Sequence, residues 1–270
     1  MKKTIIVIFY VLSLFMLFLI GSARAYNAAY THTLYQSSTI PTIDGTYIVD
    51  NDWIASGPEY FGTNAIFHDE WTMTPNLACL LIETADDTND ADDKWIICYD
   101  STENGGTDEP DGGAAPTQYD YKLEVTGHGT SETVEWYKGD GSGWTSVTPG
   151  GGLCTLSQSL TATPKIEEAH YVLELYVDKA DVSLGSVAMG YNWAQFVSYY
   201  DATTQELQQW PPADATPPGS PEVPDSWGYI TYESVPNPNP DIPEGIGIIA
   251  IITLSSVATT GAVLLRKRTK

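Results

Sequence analysis

The feature that most constrains this chain is its hydrophobic period. Between residues 26 and 235, apolar and aromatic residues recur at every second position in short runs, and Gly, Asp, Asn and Pro clusters end each run before a helical repeat develops. A period of two places alternate side chains on opposite faces of an extended backbone, so the runs predict strands packed on a core by one face. The predicted strands are 64–68, 77–84, 94–100, 119–126, 133–138, 171–177, 187–199 and 228–233. In 94–100, Trp95, Ile97 and Tyr99 share a face opposite Ile96 and Cys98. In 171–177, Tyr171, Leu173, Leu175 and Val177 lie opposite Glu174 and Tyr176, which predicts a clean inside and outside. This many one-faced strands predicts an all-β fold, a β-sandwich of two packed antiparallel sheets.

The two ends of the chain follow different rules. Residues 1–25 combine Lys2 and Lys3, an apolar run and the small-x-small pattern Ala23-Arg24-Ala25, which predicts a secretory signal peptide. Residues 246–265 are uncharged and long enough for a helix to cross a hydrocarbon core of ~30 Å. Arg266, Lys267, Arg268 and Lys270 follow at once, and such basic flanks stay cytoplasmic. The expectation is a single-pass cell-membrane protein with an extracellular body at 26–235, a Pro-rich stalk at 236–245, a transmembrane helix at 246–265 and a basic tail at 266–270. The order of Pro-Glu motif, apolar span and basic tail resembles the sorting signals of archaeal surface proteins. Pro243-Glu244-Gly245 lacks the aromatic residue usual in those signals, so retention of the helix is the expectation.

Charge narrows the partners. All 35 acidic residues lie between the apolar ends, where Lys94, Lys122, Lys138, Lys165 and Lys179 are the only basic residues and arginine is absent. Such a body repels nucleic acid and anionic lipid and has no guanidinium to clamp phosphate, which leaves cations and neutral ligands. Adaptation to salt or simple solubility also accounts for most of these carboxylates. Cys79, Cys98 and Cys154 lie in the exported part, and an odd number leaves at least one outside any internal disulfide. Cys79 and Cys98, on successive predicted strands, either bridge or pack as small hydrophobes.

Ile43-Asp44-Gly45 followed by Asp52-Trp53, a strand ending at Glu83-Thr84-Ala85-Asp86, and then Asp92-Asp93-Lys94-Trp95-Ile96-Ile97-Cys98-Tyr99-Asp100 form an ordered series. With the strand at 171–178, Trp210-Pro211 and Pro224-Asp225-Ser226-Trp227-Gly228, the series resembles family 9 carbohydrate-binding-module-like domains over about 43–233. The resemblance implies a β-sandwich that binds sugars between aromatic side chains and holds structural calcium.

Three constellations are candidates for chemistry. Asp86-Asp87-Thr88-Asn89-Asp90-Ala91-Asp92-Asp93 concentrates oxygen donors in one interstrand loop, as a hard cation requires. Asp86, Asp87, Asp90, Asp92, Asp93 and Asp100 are the predicted calcium ligands, with Asp108 and Asp111 able to join; a merely solvated loop is the alternative. Among the indoles, Trp71, Trp136, Trp144, Trp193 and Trp210 are possible sugar platforms, and Trp71, Trp144 and Trp210 are the chosen set; Trp53, Trp95 and Trp227 are assigned to the core. Catalysis has little support. His68, His128 and His170 have no nucleophile in a recognisable motif, and Gly-x-Ser-x-Gly is absent. The readings in order are a non-catalytic module holding a polysaccharide or envelope glycan, a structural or adhesive envelope protein, and a haem binder using Met73, Met189, His68 and His128.

Overall fold

The computed structural model describes residues 26–47, 53, 57–101, 106–108, 114–129, 132–148, 154–179 and 192–233. The expected leader, stalk, span and tail lie outside these residues. Among the described residues, no helix is long and apolar enough to cross a membrane.

The described residues are all-β, with one 3₁₀ turn at Pro224–Ser226. The strands are β1 (Asn27–Gln36), β2 (Glu59–Phe61), β3 (Ala65–Trp71), β4 (Leu77–Thr84), β5 (Lys94–Asp100), β6 (Thr107–Asp108), β7 (Ala114–Ala115), β8 (Asp120–Thr126), β9 (Thr133–Gly139), β10 (Trp144–Val147), β11 (Cys154–Thr161), β12 (His170–Asp178), β13 (Trp193–Asp201), β14 (Glu206–Trp210) and β15 (Gly228–Glu233). β6 and β7 form a small ladder of their own.

All the other strands belong to one continuous sheet in the order β10-β9-β8-β5-β13-β15-β1-β3-β4-β12-β11, with β14 on β13 and β2 on β3. This corrects the expectation of two separate antiparallel sheets. β1 pairs parallel with β15 along most of its length and then parallel with β3 at Tyr35 and Gln36, so the ladder runs unbroken from one half to the other. The sheet curls to bring its halves together over one core. Leu34, Phe67, Leu80, Ile82, Trp95, Ile97, Leu123, Trp136, Leu173, Leu175, Val197 and Ile230 meet there. Each large apolar side chain removed from water contributes ~1.5–3 kcal/mol, which is the main source of cohesion.

The faces of β5 and the inner face of β12 follow the alternation: Trp95, Ile97 and Tyr99, and Tyr171, Leu173, Leu175 and Val177, all join this core. The outer faces do not meet water as expected. Tyr47 and Trp53, with Ile43, pack over Leu77, Cys79, Leu81 and Val172 on one half. Trp227, with Tyr26 and Trp144, covers Cys98, Ala194 and Phe196 on the other. Cys79 and Cys98 therefore sit in outer layers on opposite halves with the core between them, and all three cysteines are free thiols.

Glu174, expected on an open face, is fully buried and fixes the first of these layers. Its Oε1 accepts the Trp53 indole N–H at 2.8 Å, and its Oε2 accepts the amides of Gly45 at 2.8 Å and Asp44 at 3.0 Å. Gly45 has φ of +80°, and a Cβ there would lie 2.8 Å from the Gln158 carbonyl carbon, so only glycine admits this approach. The Ile43-Asp44-Gly45 motif and Trp53 thus form a strap tied to β12.

Candidate functional site

The register decides which indoles can meet a ligand. Trp71 opposes Ala78 on the inner face, is fully buried, and donates its N–H to the Glu233 carbonyl at 3.1 Å, with the Lys179 ammonium 4.6 Å above its ring. Trp210, despite the prolines that follow it, is the last in-register residue of β14 opposite Val197. It packs edge-on to Phe67 and beneath Gly228. Trp136 and Trp193 are buried as well. Sugar stacking at Trp71 and Trp210 is therefore corrected: the strand period aims both indoles into the core. Trp53, Trp95 and Trp227 are core residues as expected.

Trp144 is placed differently. It opens β10 opposite Gly139 and is half-buried, with its ring parallel to Trp227 at 6.3 Å between centroids. The Lys122 ammonium lies 5.1 Å from the Trp144 ring centroid and 4.8 Å from that of the partly exposed Tyr137. Lys122 is held by Glu124 at 2.9 Å and Glu222 at 3.5 Å, and Lys94 reaches Glu124 at 3.3 Å. Burial pushes the Glu124 carboxyl up, but the ammonium groups of Lys122 and Lys94 outweigh it and hold it below the usual carboxylate range. The indole N–H of Trp144 is enclosed and has no hydrogen-bond partner. An apolar ring face, a phenol and fixed ionic donors and acceptors thus converge on the outer face of the β8–β10 half. The sequence signal for Tyr137 and Lys122 was their shared outward parity on 119–126 and 133–138, but their cross-strand pairing is visible only in three dimensions.

The acidic loop 86–93 closes on itself and on the β13–β14 turn. Asp86 Oδ1 accepts the Thr88 amide at 2.8 Å and hydroxyl at 2.6 Å, while Oδ2 accepts the Tyr199 hydroxyl. Asp93 Oδ1 accepts the Ala202 amide at 2.8 Å, and Oδ2 accepts the Asp90 amide at 3.1 Å and faces His128 Nε2 at 2.8 Å. The Asp90 carboxylate takes the Thr203 hydroxyl, whereas Asp87 and Asp92 are exposed. Asp86, Asp93 and His128 bring three ligand atoms within 4.8 Å of one another. The set mixes one imidazole nitrogen with two carboxylates, whereas calcium takes oxygen donors, and the carboxylate oxygens already accept hydrogen bonds from the surrounding turn. Both ring nitrogens of His128 also face oxygens, the second being Gln158 Oε1 at 2.8 Å. The six predicted ligands are therefore not brought together as one set: Asp86 and Asp93 meet at His128, whereas Asp87 and Asp92 face solvent.

Asp100 lies at the far end of β5 from that loop, separated from it by the length of the strand, and pairs in register with Asp120. Both are buried; burial and then Asp100 push the Asp120 carboxyl up to about 8, and Asp120 Oδ1 has no hydrogen-bond partner. Asp108 is on β6, and Asp111 lies outside the described residues. The haem ligands do not converge either. Met73 is exposed, His68 lies under Tyr47, His128 is packed between Trp95 and Tyr171, and Met189 is outside the described residues.

No protein-family model matches the chain, and no curated protein matches it. Solved structures do resemble it. The chain is similar to a carbohydrate binding module family 9 (CBM9) from Caldicellulosiruptor kristjanssonii in complex with cellotriose, at 17% identity and a TM-score of 0.49, covering 79% of this chain and 98% of that one. It is also similar to one from the same organism in complex with glucose, at 16% identity and a TM-score of 0.49, covering 75% of this chain and 96% of that one.

Proposed function

We propose that this protein is a non-catalytic surface module that binds a neutral polysaccharide or envelope glycan on the outer face around Trp144. The observation that carries the reading is the half-exposed Trp144 ring beside Tyr137, with Lys122, Glu124 and Glu222 fixed around it. An indole face takes the C–H side of a pyranose, and the ammonium, phenol and carboxylates bond its hydroxyls. The acidic body disfavours polyanionic glycans. The leader at 1–25 and the span at 246–265 support an extracellular position at the cell membrane. Affinity electrophoresis in gels containing neutral polysaccharides tests the reading: migration should be retarded for the native chain and restored by Trp144→Ala.

A second reading, a structural or adhesive spacer without a sugar site, is favoured by the burial of Trp71 and Trp210. It predicts unretarded migration in every such gel.

A further inference from the structure

The strand order of the curled sheet ends in two edges, β10 and β11. An edge presents unpaired N–H and C=O groups that recruit another strand, so monomeric proteins blunt their edges with charged side chains, proline, bulges or short length. β10 is short, with only Trp144–Val147. β11 has eight residues, Cys154–Thr161, in unbroken register with β12 from Val177 to His170. It contains no charged residue, no proline and no glycine. Among the described residues, no strand pairs with its far side.

The missing charge is local to this edge. Between Asp140 and Lys165 no residue is charged, the longest such run in the body 26–235 of a chain with 35 acidic residues. The strap leaves the edge open. Ser159 Oγ donates to the Gly45 carbonyl at 2.6 Å while the Gly45 amide donates to Glu174 of β12, so the strap lies over the outer face between the two strands. On the inner face Gln158 is bonded to His128, Glu132 and the Gly127 carbonyl, which holds β11 against the β8–β9 turn. Leu160 shares the parity of Gln158 and Leu156, yet it is 49% exposed.

We propose that β11 is the surface through which two copies of this chain associate, pairing antiparallel across a two-fold axis normal to the sheet. Charge selects the occupant: a basic partner would seat on the acidic faces, whereas this edge fits an uncharged extended strand, which a second β11 supplies. The axis keeps inner-face side chains beside inner-face side chains, as a period of two requires. Centred on Gln158, it sets Leu156 opposite Leu160 of the second copy, Thr155 opposite its Thr161 and Ser157 opposite its Ser159. Leu160 is thereby covered by an apolar side chain and hydroxyls meet hydroxyls, pairings that stabilise adjacent strands. The contact closes at two copies, whereas β11 on a second copy's β10 would extend without end. One strand pair covers less than the ~1,600 Å² of a standard interface, so the association is weak. Repulsion between the acidic bodies makes it tighten with salt.

The test is sedimentation equilibrium of the full chain in detergent at about 0.05 M and about 0.5 M salt. The expected result is a monomer–dimer equilibrium whose dissociation constant falls by about tenfold or more at the higher salt. Leu160→Glu, which puts a charge on the open edge, should weaken the dimer by about tenfold or more. Leu207→Glu adds the same charge at a 51% exposed position of β14 and should leave it unchanged. Thr155→Cys combined with Thr161→Cys should give a disulfide-linked dimer on mild oxidation, and neither change alone should. Both glutamates replace exposed side chains, circular dichroism checks the fold, and the native chain decides the salt dependence by itself. A native chain that stays monomeric at both salt concentrations would overturn the proposal. So would dimers of equal strength in Leu160→Glu, polymers larger than two copies, or a dimerising double-cysteine variant that does not cross-link.

Discussion

Replacing Glu174 by Gln tests how the strap is held. The native carboxylate is fully buried and takes three donors, two backbone amides on Oε2 and the Trp53 indole on Oε1. Glutamine keeps one acceptor oxygen and turns an NH₂ toward whichever donor remains. At least one hydrogen bond to a charged group is therefore lost, ~1.5–3 kcal/mol, and a buried N–H is stranded. The expected destabilisation is about 2–4 kcal/mol. With urea m-values of ~1–3 kcal/mol/M, the unfolding midpoint should fall by about 1 M at unchanged slope. Trp53→Phe removes one donor but leaves the acceptor two others, so any effect beyond lost packing should be smaller. A Glu174→Gln midpoint within ~0.3 M of the native one would refute the reasoning, because it would mean that the three contacts do not hold the strap.

Asp120→Asn should change the pH profile of stability. The folded carboxyl is raised to about 8 against an ordinary value near 4, so its contribution is present below that ordinary value and lost as pH rises toward 8. The variant should be relatively more stable at pH 8 and flatter across that window in thermal melts; an unchanged profile would contradict it. His32 acts at higher pH. Burial opposes its charge, but Asp69 and Glu59 outweigh burial and raise it to about 10, so its contribution is complete below about 6.5 and lost as pH approaches 10. His32→Gln should remove that alkaline loss in urea titrations, and a wild-type-like loss would count against the assignment. Because Asp86, Asp90 and Asp93 are tied by hydrogen bonds to Tyr199, Thr203 and Ala202 without an ion, adding calcium or a calcium-selective chelator should leave the melting temperature unchanged. A rise of several degrees with calcium would contradict this and favour a cation held by the loop.

The parts of the fold that were legible in sequence are those where packing alone sets the pattern. β4, β5 and β15 have the predicted bounds because their runs are densely apolar or aromatic. β1 was missed because its inward positions include His32, whose burial depends on Asp69 of β3, 2.5 Å away. β11, with Thr155, Ser157, Gln158 and Ser159, looks like a loop and becomes a strand through its full register with β12. The single-sheet topology depends on where β1 pairs, a long-range choice that no local period encodes. Among the candidate platforms, the partial exposure of Trp144 was legible from its turn context, whereas the prolines after Trp210 concealed an in-register core position. The acidic loop was visible as a density of charge, but its partners Tyr199, Ala202 and Thr203 lie more than a hundred residues later.

The most direct measurement of the central claim is affinity electrophoresis of the native chain and Trp144→Ala through a panel of neutral polysaccharides, with circular dichroism confirming that both are folded. Retardation of the native chain on at least one polysaccharide, lost with Trp144→Ala, is the predicted result. Equal migration of the two proteins on every polysaccharide would contradict a glycan site at Trp144.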